Sequence, residues 1–182
     1  ININLIEDTE TIKFITTQDE KSGICNHRII DQIFKIKPKV QHELWVLGNK
    51  DLQLEIAIKA RQDKNNCIME ELSNVPKIFL ALPLEDTQDL PFPVIINSKT
   101  FVPVEKRNGI VLSKSNTENV NHNKELIKQA LSLFVKLLSS LQLDKWCDLH
   151  NLLVFSDLPK KEWLDEEWIK NVLNHLVKDL IN

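Results

Sequence analysis

"HELWVLGNKDLQLEIAIKAR", residues 42–61, decides the architecture. The stretch runs through Leu44, Trp45 and Val46, breaks at Gly48-Asn49-Lys50-Asp51, and resumes with Leu52, Leu54, Ile56 and Ile58 at every second position. Successive side chains of a strand point to opposite faces, so this spacing puts the aliphatic residues on one side and Glu55 and Lys59 on the other. Two such runs around a Gly-Asn turn predict an antiparallel hairpin, one face in a core and the other towards solvent.

Working outward, "TIKFITTQ" (Thr11 to Gln18) is β-branched and roughly alternating, and reads as a strand. "QDKNN" (Gln62 to Asn66) reads as a polar loop. "KIFLALPL" (Lys77 to Leu84) is a continuous apolar run, expected to form a central strand closed by Pro83. "PFPVIIN" (Pro91 to Asn97) reads as a further strand whose prolines confine it to a strand start or a sheet edge.

Beyond "SKSNTENVNHN" the periodicity changes. Asn121 or Asn123 is placed to cap a helix, and Ile127, Ala130, Leu131, Phe134, Leu138 and Leu141 form a stripe at helical spacing. A shorter helical piece is expected around Trp146 to Val154. Asp165 is a good cap for a last helix, Glu166 and Glu167 suit its positive start, and Ile169, Val172, Leu173, Leu176, Val177 and Leu180 make one apolar face. Strands first and helices second give an α+β fold: a mainly antiparallel sheet in the N-terminal two-thirds packed with C-terminal helices. Residues 1–182 are expected to be a single domain, mostly strands over 1–110 and mostly helices over 121–182.

The chain has 182 residues with 42% hydrophobic and 27% charged content. That length buries roughly 70% of the unfolded surface, enough for a core. A net charge of -3 argues against a nucleic-acid footprint, and no apolar run approaches a membrane span. The N-terminus lacks the pattern of a signal peptide. Cys25, Cys67 and Cys147 are odd in number and widely spaced, which fits reduced thiols in a cytoplasmic protein. Because the chain starts at Ile1 rather than Met, it is expected to be a piece of a longer protein.

Metal chemistry has one weak foothold. Cys25-x-His27 on a strand and Cys147-x-x-His150 on a helix would make a Cys₂His₂ zinc set if their elements met, but paired C-x-x-C spacing is missing. Buried cysteines and incidental histidines are the plainer reading, and no metal ligand is assigned. A nuclease-type set would draw on Asp51, Glu55 and Lys59, whose Glu-to-Lys spacing is four where two is needed, so a solvated strand face is preferred. The chain has no G-x-S-x-G, Gly-rich phosphate loop or H-E-x-x-H. Trp163 and Trp168 flank acidic residues near the terminal helix. They could face a protein partner, although a tryptophan near a helix start is more often a packing anchor.

What remains is "LPFPVIINSKTFVPVEKRNG" (Leu90 to Gly109), which ends in a cation ahead of a long helix. Arginine suits anion recognition there, because its planar fork pairs phosphate oxygens bidentately and keeps its charge. On spacing alone, a solvated "EKR" turn is the simpler reading.

The segment "IFLALPLEDTQDLPFPVIINSKTFVPVEKR" resembles the region that follows the ATP-binding domain in sacsin and its bacterial relatives. Leu82-Pro83, Leu90-Pro91, Asn97 in a short turn, Phe101 and Arg107 stand in the places of that pattern, and "NHNKELIKQALSLFVKLLSSL" is similar to the helix that follows it. The resemblance covers roughly Lys77 to Leu141. More distantly, the order of strand, Arg-bearing loop and helix resembles the middle segment of the ninety-kilodalton heat-shock chaperone, another ATPase of the GHKL class. The turn before Phe101 is longer here than in sacsin, and the polar residue that accompanies the chaperone's Arg has no clear counterpart.

The resemblance implies a middle, transducer-like segment. In it Arg107 would sense the γ-phosphate of ATP bound by a preceding domain of the same chain, with Lys106 a weaker candidate. ATP and magnesium are implied for the full-length protein. None is implied for this segment, which has only Gly23, Gly48 and Gly109 and no Gly-rich lid. The segment alone is therefore not expected to be a catalyst. The rival readings are a non-catalytic interaction module that binds a partner through the terminal helix, and a metal-dependent enzyme built on the Cys/His set.

Overall fold

The computed structural model describes the backbone of residues 6–7, 10–18, 24–32, 41–49, 52–63, 66–140, 146–148, 150–151 and 158–181, and side chains chiefly within 52–60, 68–138 and 158–180. It is an α+β fold. The strands are β1 (Ile6–Glu7), β2 (Glu10–Gln18), β3 (Ile24–Gln32), β4 (Gln41–Asn49), β5 (Leu54–Asp63), β6 (Asn66–Met69), β7 (Ile78–Leu80), β8 (Leu82–Pro83), β9 (Ile95–Ser98) and β10 (Trp146–Cys147). The helices are α1 (Glu118–Ser140) and α2 (Glu166–Ile181). None of the described helices is long and apolar enough to cross a membrane.

β1 to β5 form an antiparallel meander, and the sheet continues from β5 through β9 and β7 to β8. The hairpin read from residues 42–61 is present, with Trp45 opposite Ile58 and Asn49 opposite Leu54. Leu54, Ile56, Ile58 and Ala60 are buried and Glu55 is exposed, as alternation requires. Leu52 is the exception. It falls in the turn before β5 and is exposed, because the pleat that buries its neighbours has not yet begun.

β5 shares one edge between two partners. Its first half pairs β9 from Leu54 to Ala57, and its second half pairs β6 from Ala60 to Asp63. The polar loop expected over Gln62 to Asn66 is thus a tight connection, with Asp63 opposite Asn66.

Two expectations for the proline-rich half are corrected. "KIFLALPL" is not a central strand: after Leu80 the backbone turns at Ala81, whose φ is 65°, and β8 folds back on β7 at the sheet's edge. Leu82 is 74% exposed as a result. β9 is not at an edge but inside the sheet, antiparallel to β5 and parallel to β7, and its prolines take the other expected place, the strand start. Pro91 and Pro93 precede it, so no ladder hydrogen bond is lost.

α1 lies over β4 and β5 and contacts α2. Its stripe of Val120, Ile127, Ala130, Leu131, Phe134 and Leu137 is buried. Each large side chain of this kind contributes about 1.5–3 kcal/mol on burial. The cap differs from expectation: Thr117 precedes the helix, its Oγ1 accepting from Val120 N–H at 3.4 Å, while Asn121 and Asn123 lie inside the first turns. The expected helical piece at Trp146 begins instead as β10, parallel to β6. Val154, Leu141 and the turn residues Lys50 and Asp51 lie outside the described residues.

α2 starts as expected. Asp165 accepts from Trp168 N–H at 3.1 Å, and Ile169, Leu173 and Leu176 are buried. Burial pushes the Asp165 carboxyl up. The Lys124 ammonium at 2.9 Å, the Trp168 N–H and the charge of Lys114 outweigh that and hold it below its ordinary value.

Candidate functional site

Arg107 sits at the tip of a short hairpin between β9 and α1. Val111 N–H donates to Val102 O at 3.1 Å and Val104 N–H donates to Gly109 O at 3.0 Å, which closes the arms. Arg107 N–H donates to Val104 O at 2.8 Å, which closes the turn. Glu105, Lys106 and Arg107 are exposed there. Arg107 holds a φ of 54°, the left-handed region, at a cost of roughly 1–2 kcal/mol for a residue with a Cβ. Neither the Arg107 guanidinium nor the Lys106 ammonium has a hydrogen bond or ion pair among the described residues.

Whereas the tip is free, the base is fixed from three sides. On the helix side, Asn123 is fully buried on the apolar face of α1. Its Oδ1 accepts from Val102 N–H at 2.9 Å, and its Nδ2 donates to Val102 O at 2.8 Å and Val111 O at 3.0 Å. One side chain thus bonds three backbone groups of both arms: it is the partner of Val102 N–H and Val111 O, and a second donor to Val102 O beside Val111 N–H. His122 adds a contact to Thr100 O at 2.9 Å.

On the second side stands the acidic turn of "EDTQD". Asp86 N–H donates to Asn108 O at 2.8 Å, and Asn108 Nδ2 donates back to Asp86 Oδ2 at 3.0 Å. Asp86 Oδ1 also receives Lys161 Nζ at 3.1 Å. Thr87, fully buried, ties this turn to the sheet: its Oγ1 accepts from Lys77 and Ile78 N–H and donates to Leu84 O.

On the third side, a Cβ added to Gly109 would stand 2.6 Å from the Trp163 ring, so only glycine admits the indole there. Trp163 Nε1 is buried without a hydrogen-bond partner among the described residues. Trp163 and Trp168 thus serve the packing: the first against the hairpin, the second beneath the Lys124 ammonium at 5.2 Å.

The other sequence candidates are not assembled into a site. Cys25 and His27 lie on β3 and Cys147 on β10, with β4, β5 and β6 between them. Four strand spacings amount to about 19 Å, too far for one metal ion. Cys147 ends the two-residue strand β10, so the helical spacing with His150 does not apply. Glu55 accepts from Asn97 Nδ2 at 3.0 Å and Lys59 pairs with Glu70 at 3.1 Å, so these two are occupied on the sheet surface. Asn97 is a β9 residue, not a turn residue, and its Oδ1 also accepts from Ala81 N–H.

Asp86 and Lys161 were not singled out by sequence, Asn123 was read only as a possible helix cap, and Gly109 only as the end of its segment. Asn123 left a signal, a polar residue four before Ile127 on the apolar stripe. Asp86 was visible only as part of an acidic loop, and nothing local marks Lys161. Comparison of the chain with protein-family models, with curated proteins and with solved structures finds no match.

Proposed function

We propose that this chain is the transducer-like segment of a sacsin-like GHKL ATPase, and that its hairpin presents Arg107 to the γ-phosphate of ATP held by a preceding domain. The observation that carries this reading is the contrast within the hairpin: an exposed arginine whose guanidinium has no partner among the described residues, on a base locked by Asn123, Asp86 and Gly109. The locked base fixes the backbone from which the guanidinium starts, so meeting an anion orders the side chain but not the loop. Its fork matches phosphate oxygens and stabilises charge that grows there during phosphoryl transfer. Lys106, beside it on the tip, would add charge without the bidentate geometry. The base contacts reach α1 and the segment ahead of α2, so a shift of the tip on nucleotide binding or release would be felt at both helices. The segment would work in the cytoplasm as part of the larger ATPase.

The rival interaction-module reading draws less support, because Trp163 and Trp168 are engaged within the chain. The test is Arg107→Ala in the full-length protein. ATP turnover should fall about 10³-fold or more, the scale for a trans-acting arginine, while nucleotide binding is kept. Unchanged turnover overturns the reading.

A further inference from the structure

A cleft of about 540 Å³ lies between the segment around Leu72 to Lys77, the stretch from Gln88 to Pro93, and Leu158. Lys77 lines it and is only 6% exposed. An ammonium has three donors, and among the described residues Lys77 Nζ has one acceptor, the carbonyl oxygen of Leu72. It forms no ion pair there. Buried charges are ordinarily paired, since desolvating an ion without a counter-charge is costly.

Burial lowers the Lys77 amine to about 8, and the charge of Glu71 works the other way without restoring the ordinary value. The backbone beneath is fixed: Lys77 N–H donates to Thr87 Oγ1 at 3.1 Å, and Lys77 O accepts from Ile96 N–H at 2.7 Å. The amine is therefore a dry cation just ahead of β7, with donors to spare and no ion-pair partner among the described residues.

We propose that this cleft binds an organic monocarboxylate with an apolar body, the carboxylate pairing with the Lys77 ammonium. The apolar body follows from Leu72, Leu90, Phe92 and Leu158, which share the wall with polar residues such as Ser73 and Gln88. The single charge follows from the balance of the site. Glu71 and Asp89 are the other charged residues that line the cleft; both are exposed, and Asp89 lies 3.9 Å from Lys161 Nζ. Neither acid forms an ion pair with Lys77 among the described residues, so the one buried cation can pair one negative charge, and a phosphate dianion would bring an excess. The volume is within the range of small-ligand sites, about 300–1,000 Å³.

The test titrates the intact protein with hexanoate, using hexanamide as the uncharged control. Hexanoate should bind saturably, and hexanamide at least about tenfold more weakly, because the bond to a charged partner is lost. Pairing raises the amine's proton affinity, so hexanoate binding should hold up to about pH 8 and then weaken by about tenfold per pH unit. Lys77→Met should abolish binding; if that variant does not fold, the amide control and the pH series on the unaltered protein decide. A short peptide ending in leucine, compared with its C-terminal amide, distinguishes a chain terminus from a free acid as the natural source, and charge-dependent binding of either supports the site. Equal affinity for hexanoate and hexanamide, no saturable binding of either acid, or unchanged binding by Lys77→Met overturns it.

Discussion

Arg107 and Lys77 form no ion pair among the described residues, and the fold treats the two cations in opposite ways. Arg107 is kept in water at the tip of a hairpin, on a backbone conformation that disfavours a side chain. Lys77 is taken out of water at the foot of a cleft, on ordinary backbone, and loses proton affinity. The solvated cation incurs no desolvation cost, so its strain lies in the chain. The buried one carries its cost in the charge itself. An unpaired cation can therefore be held ready for an anion in two ways, by fixing the stem beneath it or by drying the site around it.

The first way depends on the base of the hairpin, and that dependence can be broken. Asn123→Ala would leave Val102 N–H and Val111 O without partners, and Val102 O with Val111 N–H alone, and should lower stability by about 2 kcal/mol in chemical denaturation. It should also make the hairpin sensitive to limited proteolysis. Gly109→Ala would press a methyl group against the indole and should cost about 1–3 kcal/mol by the same assay.

The second way is read by titration. The native Lys77 amine binds its proton less tightly than the unfolded one, so the unfolded state holds more protons between about pH 8 and 10.5. Stability should therefore rise with pH across that window. Lys77→Met should remove the rise; a rise that persists would mean that the amine is not the group responsible.

Smaller effects mark the periphery. Lys161→Ala breaks a half-exposed pair with Asp86 and should cost no more than about 1 kcal/mol, because solvent screens it. Asp165, held below its ordinary value, should contribute stability above the unfolded carboxylate's 3.8, and lose it as the pH falls through the lower native value.

Much of the scaffold was legible in the sequence. Period-two alternation gave the hairpin of β4 and β5, and the stripe from Ile127 to Phe134 gave α1, because periodicity reports directly which face is buried. The acidic start after Asp165 gave α2. Legibility failed where backbone geometry overrode composition. An apolar run does not reveal that Ala81 adopts a positive φ, so "KIFLALPL" looked like one strand where there are two. The prolines before β9 suggested an edge, yet the strand begins after them and is paired on both sides. The hairpin tip was visible as a cation ahead of a helix. The base was not, because Asn123 contacts Val102 across 21 positions and Lys161 reaches Asp86 across 75.

The central claim, that the fold holds Arg107 ready for a phosphate, is tested most directly by Arg107→Gly in the full-length protein. Glycine accepts the left-handed conformation without cost, so stability should be unchanged or rise by up to about 1 kcal/mol. ATP turnover measured on the same preparation should fall about 10³-fold with nucleotide affinity kept. A variant that is equally stable and turns over ATP at the original rate would contradict the account.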